Sequence, residues 1–237
     1  MEKLSDKKII SSWFRNAKPW ISAIREGEIE SRLLVTNKAI VAAVLARAPK
    51  TALDVGCGEG WLCRELARSG INCLGVDVVP EFIDYALNEG GARFKVLAYE
   101  DLGFAAINRK FDVIVCNFSL LGNESVIHLF QQAASLLNEK GAIIIQTIHP
   151  ETGCGDGKYV DGWREGSWSG FNNQFSDPAP WYFRTIASWK GLFVEHGFTL
   201  SKVLQPFNPK TQKPASIIFV AELTSLSACH SQPLKNY

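Results

Sequence analysis

Two rhythms of apolar residues run through the chain. Short, nearly unbroken apolar stretches at residues 51–55, 71–77, 93–97, 111–116 and 142–147 predict five strands, the fourth continuous enough to be buried on both faces. Between them, apolar positions recur every three or four residues at 61–68, 80–88 and 124–138, which predicts helices. Pro80 suits a helix start, and Glu139-Lys140-Gly141 reads as the turn into the fifth strand. Strands and helices alternating in this way build a right-handed, doubly wound α/β sheet.

The flanks follow other patterns. Residues 5–48 read as helix in two or three pieces, with aromatics at Trp13, Phe14 and Trp20 and with Pro49 closing the last piece. Residues 151–182 interleave glycines with Tyr159, Trp163, Trp168, Phe171, Phe175, Trp181 and Tyr182 and keep no period. A long irregular segment with that aromatic load predicts a lid that packs on something. A helix at 184–198 ending at a glycine, and two strands at 199–205 and 215–223, predict a closing hairpin. The chain divides accordingly as one domain over 1–237: a helical cap at 1–49, a core at 50–150, the lid at 151–182, the C-terminal helix and hairpin at 183–224, and a weakly periodic tail at 225–237.

The first strand runs into Asp54-Val55-Gly56-Cys57-Gly58-Glu59-Gly60, a glycine-rich turn that opens a helix. A side chain at Gly56 or Gly58 would hold a ligand away from the backbone, and the turn needs positive φ. A polar or zwitterionic small molecule can then lie against the loop amides and the helix start. The second strand ends in Asp77, with Val78 beside it. An acid at that place in a β-α-β unit is set to accept hydrogen bonds from ribose hydroxyls, so the pair of features specifies a nucleoside-bearing cofactor. The glycines run G-x-G-x-G behind an acid, whereas the dinucleotide fingerprint asks for G-x-G-x-x-G.

That arrangement resembles the first motif of the class I S-adenosylmethionine-dependent methyltransferases, and from the N-terminal helices through the fourth strand the chain resembles their ubiquinone-biosynthesis O-methyltransferase group. The resemblance implies a Rossmann-like seven-stranded sheet, S-adenosyl-L-methionine as cofactor, S-adenosyl-L-homocysteine as product and no metal. It implies that an arginine of the N-terminal helices pairs with the cofactor carboxylate; Arg32 matches better by position than Arg25. It also implies that the stretch after the third strand meets the adenine. The family's usual aspartate is Ala98 here, which leaves the contact to the amide of Tyr99 and to Glu100. In an open parallel sheet the crevice lies at the carboxyl ends of the central strands, so Asn117, Phe118 and Leu121 are placed to touch or wall the methionine portion.

Composition narrows the partners. With 237 residues, 46% hydrophobic and 21% charged, the chain can bury one full core. A net charge of +1 without basic runs argues against nucleic acid or an anionic membrane. No stretch approaches the roughly 20 apolar residues of a membrane span, so the expectation is a cytoplasmic monomer or homodimer. The six cysteines, at 57, 63, 73, 116, 154 and 229, form no C-x-x-C pair, which argues for reduced apolar thiols rather than a zinc site or disulfides.

Methyl transfer from a sulfonium is an in-line displacement, and a base helps only where the acceptor keeps its proton. His149, after the fifth strand, is the candidate base; the histidines at 128, 196 and 230 read as structural. Trp20, Arg25, Trp163, Arg164, Glu165, Tyr182 and Arg184 are the candidate substrate residues, and two arginines near aromatics would suit an anionic small-molecule acceptor. The alternatives are an inactive cofactor-binding adaptor, a protein or RNA methyltransferase, and a nicotinamide oxidoreductase. The second is disfavoured by neutral charge and by Asn117-Phe118-Ser119-Leu120 in place of an Asn-Pro-Pro-aromatic motif.

Overall fold

The computed structural model describes residues 4–224. Helix α1 (Asp6–Glu26) starts where the Ser5 side chain accepts the Lys8 amide and stops at Gly27, held at φ 69°. A single π turn (Arg32–Thr36) then feeds α2 (Asn37–Leu45). The core follows as β1 (Thr51–Val55), α3 (Trp61–Arg68), β2 (Asn72–Asp77), α4 (Pro80–Glu89) and β3 (Arg93–Val96). Next come a 3-10 turn (Tyr99–Asp101), α5 (Phe104–Ile107), β4 (Phe111–Asn117), α6 (Glu124–Leu136) and β5 (Leu137–Thr147). Beyond it lie α7 (Pro150–Gly153), β6 (Gly162–Arg164), β7 (Trp181–Phe183), α8 (Ile186–Glu195), β8 (Phe198–Leu204), β9 (Phe207–Asn208), β10 (Lys213–Pro214) and β11 (Ile217–Leu223).

The seven-stranded sheet has the order β3-β2-β1-β4-β5-β11-β8. The five strands predicted from apolar runs pair in parallel, and β11 runs antiparallel to both β5 and β8. The predicted hairpin is thus the sheet's closing edge, with its second strand inserted inside its first. Alternation along each strand separates two cores. Leu53, Ile114, Cys116, Ile143, Ile145 and Phe219 meet α6 and α8 on one face; Ala52, Val113, Val115, Ile144 and Ile218 meet α2 and α3 on the other.

Two expectations change. The turn at 139–141 is not a break between helix and strand, because β5 begins at Leu137 directly after α6. Pairing passes from Phe111 opposite Leu137 to Val113 opposite Ala142, so the extra residues bulge out of a continuous strand, with Lys140 at φ 62°. Residues 151–182 are not wholly irregular either: β6 and β7 pair antiparallel, Trp163 opposite Tyr182, and tie the two ends of the segment together. The predicted tail at 225–237, with Cys229 and His230, lies outside the described residues. Among those residues, no helix is long and apolar enough to cross a membrane.

Candidate active site

A cavity of about 480 Å³ opens at the carboxyl ends of β1, β2 and β4, between the glycine loop and a roof made by α1 and residues 166–181. Its floor is the loop from Gly56 to Glu59; Gly60, expected at the cofactor, is off the wall and packs against Phe94. Gly56, Gly58 and Gly60 all hold positive φ, at 72°, 55° and 86°. The amides of Gly56 and Cys57 both donate to the carbonyl of Val76, at 2.8 and 3.0 Å, which pins the loop to β2. Crowding differs between the three. A Cβ on Gly56 would lie 2.4 Å from Ser119 Cβ and 2.9 Å from Tyr99 Oη, and one on Gly60 would lie 2.7 Å from the Phe94 ring. Near Gly58 only Trp20 Nε1 comes within reach, at 4.0 Å. Gly56 is therefore small because protein presses on it, and Gly58 is the position whose open side faces the cavity.

Asp77 lines the cavity and organises the loop. Its Oδ2 accepts the Gly58 amide at 2.9 Å and its Oδ1 the Val79 amide at 3.0 Å. Desolvation raises its pKa against those two bonds. Each carboxylate oxygen keeps a lone pair for a further donor. Val78 stands on the wall beside it. Asp54 does not line the cavity: it is buried beneath the loop, its Oδ2 taking the Cys63 thiol at 3.6 Å and its Oδ1 taking nothing. Burial pushes its pKa up to about 7. Cys57, on the wall, is a buried thiol whose pKa burial drives well up, which removes the thiolate a nucleophile needs.

Arg32 reaches the cavity from the π turn, stacked 5.1 Å over Trp61, with Nε on Asn37 Oδ1 at 3.3 Å. Its Nη2 is buried without a partner. Desolvation lowers its pKa to about 10, opposed by the charges of Glu59 and Asp54. Glu59 pairs with Arg64 through Oε2 and leaves Oε1 buried and free of bonds. Asn117 likewise leaves Oδ1 buried and unbonded at the end of β4. Phe118 follows at φ 55°, its amide on Gln146 O, and Ser119 Oγ bridges to Val55 O at 2.6 Å. Phe118, Leu121, Ala98, Tyr99 and Glu100 complete this part of the wall, and Tyr99 Oη donates to Ser119 O at 3.1 Å.

The roof is aromatic. Trp13 meets Trp20 at 5.0 Å and Trp168 at 5.7 Å, and Trp20 meets Phe171 at 6.1 Å. Asn16, fully buried on α1, clamps Ser176 by donating to its carbonyl (2.7 Å) and accepting from its amide (2.9 Å). Asp177 adds ion pairs to Lys8 and Arg15.

Several expected substrate residues sit elsewhere. Trp20 lines the cavity, but Arg25 is exposed and faces the Tyr85 ring at 5.9 Å. Trp163 and Tyr182 pack edge to face in the β6–β7 ribbon; Arg164 donates to the carbonyls of Lys158 and Val160; Glu165 is exposed. Arg184 is buried and donates to Gly122 O (2.8 Å) and to Asn123 O and Oδ1 (3.2 and 2.9 Å). None of these six is on the cavity wall. Nor is His149, which is buried with both ring nitrogens unbonded, while its neighbour Ile148 takes the wall position. Both lie just past the end of β5, with His149 at the N-cap of α7. The sequence does not single out Asp6, Ile9, Trp13 or Glu59 as wall residues and gives Trp168 and Trp181 only as aromatics of the lid; all six line the cavity. A signal existed for three of them: Asp6, Ile9, Trp13 and Trp20 follow helical spacing along one stripe of α1.

A family model described as a methyltransferase domain matches residues 29–203, well over half of the chain. A ubiquinone biosynthesis O-methyltransferase of Actinobacillus pleuropneumoniae is 32% identical over 108 residues, 42% of this chain and 46% of that protein. One from Xylella fastidiosa is 34% identical over 102 residues, 41% of each. The chain thus spans less than half the length of these curated relatives. An S-adenosylmethionine-dependent methyltransferase from Clostridium acetobutylicum superposes with a TM-score of 0.66 at 15% identity, over 86% of this chain and 100% of that one. Magnesium protoporphyrin IX methyltransferase from Synechocystis, with bound S-adenosylhomocysteine, gives 0.64 at 17% identity, over 92% and 100%. The 1,6-didemethyltoxoflavin-N1-methyltransferase of Burkholderia thailandensis gives 0.63 at 18%, over 88% and 87%. At such identities these structures speak for the fold, and together with the domain match they place this chain in the methyltransferase family.

Proposed function

We propose that the chain transfers a methyl group from S-adenosylmethionine to a small-molecule acceptor held under the aromatic roof, with residues 151–182 acting as a lid. The observation that carries the reading is the set of buried, unbonded polar atoms around the glycine loop: Arg32 Nη2, Glu59 Oε1 and Asn117 Oδ1. Buried polar atoms without partners are costly, so their clustering beside one cavity suits a ligand that completes them. A zwitterionic amino-acid tail is such a ligand. Arg32 would take its carboxylate, and Glu59 and Asn117 its ammonium. Asp77 would take the ribose hydroxyls, and the stretch 98–100 the adenine edge.

When bound, the cofactor supplies a methyl group on a sulfonium. The chain's part is position and exclusion of water: Trp13, Trp20, Trp168 and Phe171 make a roof that leaves an acceptor few solvent contacts. His149, off the wall, has no place in this reading. Transfer then depends on an acceptor that arrives with a free lone pair, or that loses its proton to a wall carboxylate.

Calorimetry with S-adenosylhomocysteine, followed by label transfer from isotopically labelled S-adenosylmethionine to a panel of small aromatic phenols and amines, tests this. Binding with transfer supports it. Absence of binding sinks it, and binding without transfer to any acceptor returns the adaptor alternative.

A further inference from the structure

Among the described residues, the charged side chains on the cavity wall are one cation, Arg32, and four carboxylates, Asp6, Glu59, Asp77 and Glu100. Arg32 is the one basic residue among the described residues that line it, and it sits beside the glycine loop with Glu59. Another part of the wall is built by the first turns of α1, the end of the loop between β4 and α6 and the start of α6: Ile9, Ile10, Gly122 and Ser125 around one ionisable side chain, Asp6. The Asp6 carboxylate is fixed. Its Oδ1 accepts the Asn123 amide at 2.9 Å and its Oδ2 the Ser125 amide at 2.7 Å, which uses one lone pair on each oxygen and leaves one. Gly122 makes room for it and for Ser125, since a Cβ there would lie 2.4 Å from Asp6 Oδ2 and 2.2 Å from Ser125 Oγ. The two arginines that the sequence offered for an anionic acceptor are both off this wall, Arg184 spending its donors on the Gly122 and Asn123 carbonyls and on Asn123 Oδ1.

We infer that the acceptor is a flat, largely apolar molecule that carries a hydrogen-bond donor and no anionic group, and that Asp6 receives that donor. The inference rests on the cavity being the methyl-transfer site proposed above. Aromatic walls favour a planar body, and a fixed carboxylate favours a hydroxyl or amine over a like charge; the cation nearest Asp6, Arg184, lies behind the wall and donates to the Gly122 and Asn123 oxygens. Asp6 thereby sets specificity through the group it binds.

The test uses a matched series of naphthol, naphthylamine and naphthoate, titrated by tryptophan fluorescence into the full chain saturated with S-adenosylhomocysteine. Trp13, Trp20, Trp168 and Trp181 line the cavity and report occupancy. Naphthol and naphthylamine should bind at least about tenfold more tightly than naphthoate. Asp6→Asn should bring the three together and leave the affinity for S-adenosylhomocysteine unchanged. Because Asp6 also caps α6, Gly122→Ala serves as a second variant: it keeps the carboxylate but displaces it, and should shrink the same ratio. Naphthoate binding as well as naphthol in the parent, a ratio unmoved in both variants, or no binding of any of the three to a chain that binds S-adenosylhomocysteine would overturn the inference alone. Failure to bind S-adenosylhomocysteine would overturn the proposed function and this inference with it.

Discussion

Asp77 and Asp54 come from adjacent strands and meet opposite fates. Asp77 faces the cavity with two backbone amides on its oxygens, so it shapes the loop before any ligand arrives. Replacing it with alanine removes the charge-assisted bond proposed to a ribose hydroxyl, worth roughly 1.5–3 kcal/mol. The affinity for S-adenosylhomocysteine should fall about ten- to a hundredfold, read by calorimetry, and an unchanged affinity would remove Asp77 from the cofactor site. Asp54 is buried below, and burial raises its pKa from 3.8 to about 7. It holds its proton more tightly folded than unfolded. Its contribution to stability is therefore fully present below the unfolded value and is lost as pH rises through the folded one. Between about pH 4 and pH 7 the parent should lose stability relative to Asp54→Asn, by at most about 1.4 kcal/mol per pH unit, in urea unfolding of the ligand-free chain. Parallel profiles would show that the carboxylate is ionised throughout. Sequence reading found both acids because spacing from a glycine turn carries them, but it could not say that one is wall and the other foundation: that depends on which way a buried strand presents alternate side chains.

Between elements, the contact that matters most is α1 against residues 166–181. Two kinds of bond hold it, and magnitudes rank them. The ion pairs of Asp177 involve Lys8 and Arg15 at 17% and 57% exposure, and such pairs contribute roughly 0–1 kcal/mol. Asn16 is buried and bonds both backbone groups of Ser176, so its loss removes two hydrogen bonds of about 0.5–1.5 kcal/mol each, while Trp168 Nε1 still donates to the Ser176 carbonyl. Asn16→Ala should expose residues 166–180 to limited proteolysis several times faster than the parent, and Asp177→Ala should change the rate little. The reverse order would mean that charge holds the roof. Elements with one strong period are legible: the five parallel strands, α3, α4, α6, α8 and the closing hairpin. The β6–β7 ribbon is not, because three-residue strands carry no countable alternation, and so the sequence offers Trp163 and Tyr182 as substrate residues where the structure makes them packing partners. Arg164 and Arg184 depart from expectation for a related reason. Sequence shows a charge but not the carbonyls that absorb it.

On the scale of the whole molecule, the sheet order and one antiparallel strand carry the fold; alternating strands and helices account for the parallel part, and the family resemblance for the seven-stranded sheet with its antiparallel edge. Such a scaffold fixes where a ligand lies without saying which one, since doubly wound sheets hold many nucleoside cofactors at the same crevice. The local signs decide between them here. G-x-G-x-G leaves no third glycine in the dinucleotide position, and the orphaned atoms call for a zwitterion rather than a pyrophosphate. A ligand that binds only the folded chain raises its stability by mass action, about 2.7 kcal/mol at a hundredfold excess over Kd. For a chain of this size each kcal/mol moves the melting temperature by roughly 2–4 °C, so S-adenosylhomocysteine should raise it by about 5–10 °C. NAD at the same concentration should leave it where it was. A shift with NAD and none with S-adenosylhomocysteine would keep the fold and reassign the cavity to hydride transfer, because the sheet accommodates either and only the loop and its unbonded neighbours discriminate.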